Sequence, residues 1–239
     1  MDGGLTWKRI IIPDSINTLF TNIYFTDAYN GWLTSANSLL RTNTGGTTWQ
    51  KIQTIGIFDV NFFDQNVGYA TTTDAALFFT FDGGTTLFPL RAPGTGTALF
   101  FLNQGTGWIA GANLNITNNA GASFIQSVNT LNPNETRVQF TDTQNGWIAG
   151  PVLYKTVDRG VTIQTINLDT QGNSDVHFFD SLNGYIMTAH AIYTTIDGAV
   201  TFKKICNIQK SLLSVIHFTD TSHGWAIGSA GKVYVYVKL

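Results

Sequence analysis

The chain has 239 residues, 43% hydrophobic and 13% aromatic, with only 12% charged side chains and a net charge of −2. It is long enough to bury a substantial core, and its charge offers no basic field to hold nucleic acid. No apolar run approaches the roughly 20 residues of a membrane helix, so membrane insertion is not expected. Low charge with abundant Gly, Thr and Asn suits an all-β protein with many polar turns, and an extracellular, periplasmic or particle-surface setting. Met1–Trp7 has neither the charged nor the apolar region of a secretion signal. The single cysteine, Cys206, excludes an intrachain disulfide.

In chain order, residues 1–10 (MDGGLTWKRI) read as a tight turn and a β run. At 23–32 comes IYFTDAYNGW, a short β run, a four-residue polar turn and a Gly before the next strand. The Asp can cap its own backbone, and the Gly tolerates positive φ. The phrase recurs at 60–69, 99–108, 138–147, 176–185 and 216–225. Its closing aromatics are Trp32, Tyr69, Trp108, Trp147, Tyr185 and Trp225, at spacings of 37, 39, 39, 38 and 40. After each hairpin comes a third β run (LLRT, LFFT, LNIT, LYKT, IYTT, VYVY). In the first five repeats a tight turn and a fourth strand follow. Six regular repeats of four short strands, with no helical periodicity, predict the blades of a β-propeller spanning 1–239 as one domain.

The tight turns read DGGLTW (2–7), TNTGGTTW (42–49), TFDGGTTL (80–87), TNNAGASF (117–124), TVDRGVTI (156–163) and TIDGAVTF (195–202). They resemble the Asp box, SxDxGxTW, of bacterial neuraminidase repeats. With the FxDxxxGW phrase, the whole chain is similar to the propeller family of photosystem II stability and assembly factors. The resemblance implies partner binding, with the Asp boxes on the face opposite the ligand site. Thr44 and Asn119 stand where the motif has Asp, and Ala199 replaces a Gly. Degeneration of this kind fits a folding motif and not a catalytic one.

The last repeat stops at its third strand, and the first residues supply a turn and a fourth strand. The expected fold is therefore an all-β, six-bladed propeller of four-stranded antiparallel blades. Residues 1–10 complete the last, C-terminal blade and cover its edge. The recurring Phe25, Phe62, Phe101, Phe140, Phe178 and Phe218, and the six Trp, read as core.

The resemblance thus implies function on the loops joining each fourth strand to the next first strand and each second strand to the third. The residues before the recurring Phe are nearest the axis: Tyr24, Asn61, Phe100, Gln139, His177 and His217. They line a channel, either as filler or as a binding surface. Arg91, Glu135 and Arg137 are the further charges on that face. His177 and His217 are in equivalent positions, but no carboxylate or further His recurs beside them, so no metal is expected. No cofactor motif occurs.

Sialidases with this repeat use three arginines, a Tyr–Glu nucleophile pair and an acidic Asp. Glycosidases generally need a positioned carboxylate pair. This chain has one glutamate and five arginines, and turns account for most of its aspartates; Asp14, Asp59, Asp74, Asp169 and Asp175 are left over. The inventory names no catalytic residue. It points to a binding or structural propeller with a protein or glycan partner; the alternative is a carbohydrate-binding or glycoside-hydrolase propeller.

Overall fold

The computed structural model describes residue 12 and residues 20–91, 96–132, 137–168, 173–207, 213–221, 223–228 and 233–237. The strand expected within residues 1–10, and Glu135, lie outside the described residues. The described chain forms five four-stranded sheets and one three-stranded sheet, each an antiparallel meander of strands consecutive in sequence. The first sheet comprises Phe20–Phe25, Gly31–Ser35, Ser38–Thr42 and Gln50–Gln53. The others span 57–90, 96–130, 137–166, 173–207 and 213–237. The described residues fall into two compact units: one runs to Gly107 and includes Thr117–Phe124, and the other holds Trp108–Ile116 and the residues from Ile125 on.

Within each unit, a ring from the second strand of one sheet stacks flat on the recurring Phe of the next. In the first unit, Trp32 lies 3.7 Å from Phe62 at 4°, and Tyr69 lies 3.7 Å from Phe101 at 5°. In the second, Trp108 meets Phe140 and Trp147 meets Phe178, both at 3.6 Å, and Tyr185 meets Phe218 at 3.8 Å. All of these rings are buried, and Trp32, Trp108, Trp147 and Tyr69 are the largest fully buried side chains among the described residues. Their contact area makes them the main apolar contribution to sheet-on-sheet packing.

Two expectations need correction. Phe25 is 40% exposed: among the described residues no sheet precedes it in its unit, and its ring meets Trp49 in a perpendicular contact at 6.0 Å. Trp49 and Trp225 are likewise only half-buried. The Gly closing each hairpin is also not there for a left-handed backbone, since Gly31, Gly68, Gly107, Gly146, Gly184 and Gly224 do not have positive φ. A Cβ at Gly146 would instead sit 2.5 Å from the ring of Phe140. Each recurring Phe lies over its own hairpin glycine and, where a sheet precedes it in its unit, under that sheet's aromatic ring. Gly146→Ala should therefore press Phe140 against Trp108 and cost about 1–3 kcal/mol, read as a lowered denaturant midpoint with unchanged m-value.

Besides Ala75, between Gly68–Thr72 and Leu77–Thr80, positive φ falls in the tight turns, including non-glycine residues Ala120, Arg159 and Ala199. Their hydrogen bonds explain the tolerated substitutions. In the second sheet, Thr80 Oγ1 accepts from Gly84 N at 2.9 Å and Asp82 Oδ1 accepts from Thr86 N at 2.8 Å. Where Asp is missing, Thr44 Oγ1 accepts from Thr48 N at 3.0 Å, and Asn119 Oδ1 accepts from Ser123 N at 3.0 Å. An acceptor at that point is what the turn requires, and a charge is optional.

Candidate functional site

Five of the six residues preceding the recurring Phe divide into two groups. Three of them stitch neighbouring sheets together. Tyr24 Oη donates to Phe62 O at 2.9 Å, and Asn61 Oδ1 accepts from Phe101 N at 2.9 Å. Gln139 does both, accepting from Phe178 N at 2.9 Å and donating to Phe178 O at 3.0 Å. Their polarity satisfies backbone groups that the adjoining strands leave open, which is a scaffold duty. Phe100 is half-buried in its strand, and Arg91 is exposed just beyond Phe88–Leu90.

His177 and His217 behave differently. They come from first strands of consecutive sheets, and their rings lie 5.3 Å apart at 78°. His177 is half-buried, with Phe179 at 5.0 Å and Phe218 at 6.0 Å. Burial, then the charges of His217 and Arg137, hold the His177 pKa down at about 4. Burial and Arg137 also lower that of His217, against the pull of Asp175. Both imidazoles are therefore neutral at physiological pH.

Arg137, from Arg137–Phe140, joins this group through its Nε, 3.2 Å from Asp175 Oδ1. The arginine side chain is 40% exposed and the aspartate 4%. Asp175 Oδ1 also accepts from Val176 N at 2.9 Å, and Oδ2 from Ile216 N at 3.0 Å. Its carboxyl thus ties three consecutive sheets. Burial pushes its pKa up, and Arg137 and the two N–H groups pull against that. The site consists of an oriented, solvent-facing guanidinium beside two neutral imidazoles, anchored on a buried carboxyl. It can pair with an anionic group or offer hydrogen bonds to a polar one.

Turn chemistry does not account for Asp175, but the repeat contains the signal for it. The residues three before the recurring Phe are Asn22, Asp59, Ala98, Arg137, Asp175 and Val215. Asn22 Nδ2 donates to Asp59 Oδ1 at 2.8 Å, and Asp59 Oδ2 accepts from Leu99 N at 3.1 Å. The first unit therefore contains the bracket that the second builds from Arg137, Asp175 and Ile216. Reading that column in steps of three repeats, not one, brings out both acidic positions.

Comparison with solved structures decides the architecture. YCF48 bound to a D1 peptide is similar over 98% of this chain and 96% of that one, with TM-score 0.52 at 17% identity. The fold is a β-propeller. The propeller also resembles the GH74 xyloglucanase of Xanthomonas campestris, with TM-score 0.63 at 12% identity over 87% of this chain and 43% of that one. The extracellular domain of the putative hybrid two-component system BT4673 from B. thetaiotaomicron gives TM-score 0.73 at 14% identity, over 97% of this chain and 33% of that one. No family model and no curated protein matches the sequence. At these identities the likeness is one of fold, shared by a binding protein and a glycosidase.

Proposed function

We propose that the chain is a non-enzymatic propeller that binds a macromolecular partner, a protein bearing an anionic surface, through the face displaying Arg137, His177 and His217. The observation that carries this reading is the Arg137–Asp175 pair. The buried carboxyl fixes a half-exposed cation in one orientation, which lowers the entropy lost when a partner pairs with it. Asp175 is buried and bound by two backbone N–H groups and a guanidinium, so it is out of reach as a proton donor. The D1 peptide bound by YCF48 is a precedent for a propeller of this kind taking a protein partner.

The same reading includes six blades with Asp-box turns in a single domain over 1–239. Residues 1–10 would provide the fourth strand of the last blade, beside Val233–Val237. It also includes display outside the cytoplasm, on the grounds of low charge. The second reading, a carbohydrate-active propeller, is favoured by the likeness to the xyloglucanase.

Affinity capture from the native source with the full chain separates the two. The retained partner should fall roughly tenfold or more with Arg137→Gln. It should be unchanged with Asn22→Ala at the equivalent scaffold position. Equal retention by Arg137→Gln would overturn the binding face, and turnover of aryl glycosides lost in Asp175→Asn would replace it with the second reading.

A further inference from the structure

One cavity, built wholly from residues of the first sheet, has no part in the bracket described above. It encloses about 340 Å³ and is lined by Arg41, Asn43, Thr48, Trp49 and Gln50. That volume lies at the lower end for small-molecule sites, near the size of one or two sugar rings. Arg41 is held in place: its Nη2 donates to Gln65 O at 2.7 Å and its Nη1 to Asp82 O at 3.3 Å, with the guanidinium 5.8 Å from the Trp32 ring. Its Nε is buried and has no acceptor among the described residues. A buried N–H without an acceptor is costly, which marks a place where an outside group completes the structure.

The rest of the lining identifies that group. Trp49 is half-buried and held perpendicular to Phe25, so its indole is set at a fixed tilt in the wall. Asn43 and Gln50 are exposed, and neither amide is needed by the fold. In the corresponding turns of the next four sheets, Leu87, Phe124, Ile163 and Phe202 replace the indole, so the combination is not a by-product of the repeat. Each Nη gives one of its two N–H groups to a carbonyl, so Arg41 still has donors to offer, and the choice between an anion and a neutral group falls to its neighbours. Amides and a hydroxyl donate and accept at once, which matches hydroxyl groups, and an indole face suits the C–H surface of a pyranose.

We propose that this cavity is a binding subsite for a neutral sugar ring, with Trp49 as the stacking platform and Arg41 Nε, Asn43 and Gln50 as partners for its hydroxyls. Among the described residues no carboxyl side chain lines it, so the proposed site is one for binding and not for cleavage.

The test follows the Trp49 indole N–H by NMR in the full chain, with glucose, galactose, N-acetylglucosamine and cellobiose, and with phosphate and acetate as anionic probes. At least one neutral sugar should shift the Trp49 resonance with a millimolar dissociation constant. The double variant Asn43→Ala/Gln50→Ala should weaken binding roughly fivefold or more while leaving the melting temperature unchanged. Because those amides are exposed, this variant tests the site even if Trp49→Ala fails to fold. The proposal is overturned if no sugar shifts the resonance, if only phosphate or acetate does, or if the double variant binds as the parent does. Since no residue of this cavity belongs to the Arg137 face, either reading can fail alone.

Discussion

Replacing Asp175 with Ala should lower stability by about 2–4 kcal/mol, seen as a melting temperature reduced by roughly 5–15 °C. The loss comes from two backbone donors, Val176 N and Ile216 N, that would be left without their acceptor inside the protein. Loss of the Arg137 pair adds less, because the guanidinium is 40% exposed and regains water. Asp175→Asn should cost only part of this, since one amide oxygen can still accept. Asp59→Ala, which strips the same bracket from Val60 N and Leu99 N in the first unit, should cost a similar amount. A melting temperature unchanged in Asp175→Ala would show that the carboxyl does not hold the sheets.

The second large effect is a loss of stability on mild acidification. His177 has its pKa held down at about 4, against an ordinary value of 6.5. As pH falls from 6.5 through 4, the unfolded chain takes up a proton that the folded chain refuses, so stability is fully present above this window and lost within it. Discounted for the partial solvation of the ring, the effect is about 2 kcal/mol. His217, shifted the same way, contributes in the same direction. The turn carboxylates act in a lower window: hydrogen bonds from Thr201, above all from its side chain, hold Asp197 at about 2, and its contribution is lost only as pH falls from 3.8 towards that value. Denaturant titrations at pH 7, 5.5 and 4 should show the first slope in the parent and much less of it in His177→Gln. An equal slope in both would assign the acid sensitivity to other groups.

Much of this architecture is legible in the sequence because it repeats. Regular spacing of Phe and Trp announces the stacked pairs, and the Thr, Asp and Gly of each turn announce its hydrogen bonds. The hairpin glycines are conspicuous in the sequence for a reason it does not display. A glycine needed for left-handed backbone and one needed to seat a phenyl ring look alike until the ring is placed. The same ambiguity affects the residues before each Phe. Tyr24, Asn61 and Gln139 are polar for the sake of backbone groups on the next sheet. His177 and His217 occupy the same column and pair with each other. Asp175 was hidden because its partners come from three repeats, while a repeat alignment compares residues one column at a time.

The bracket that appears twice implies a division of labour between two copies of one three-sheet plan. In one copy an asparagine meets the acid, and the arrangement is closed and serves only cohesion. In the other an arginine stands in its place, meets the acid through its Nε, and has a side chain 40% exposed. A single exchange of side chain thus brings a partly exposed positive charge to a mechanical joint without redrawing the framework.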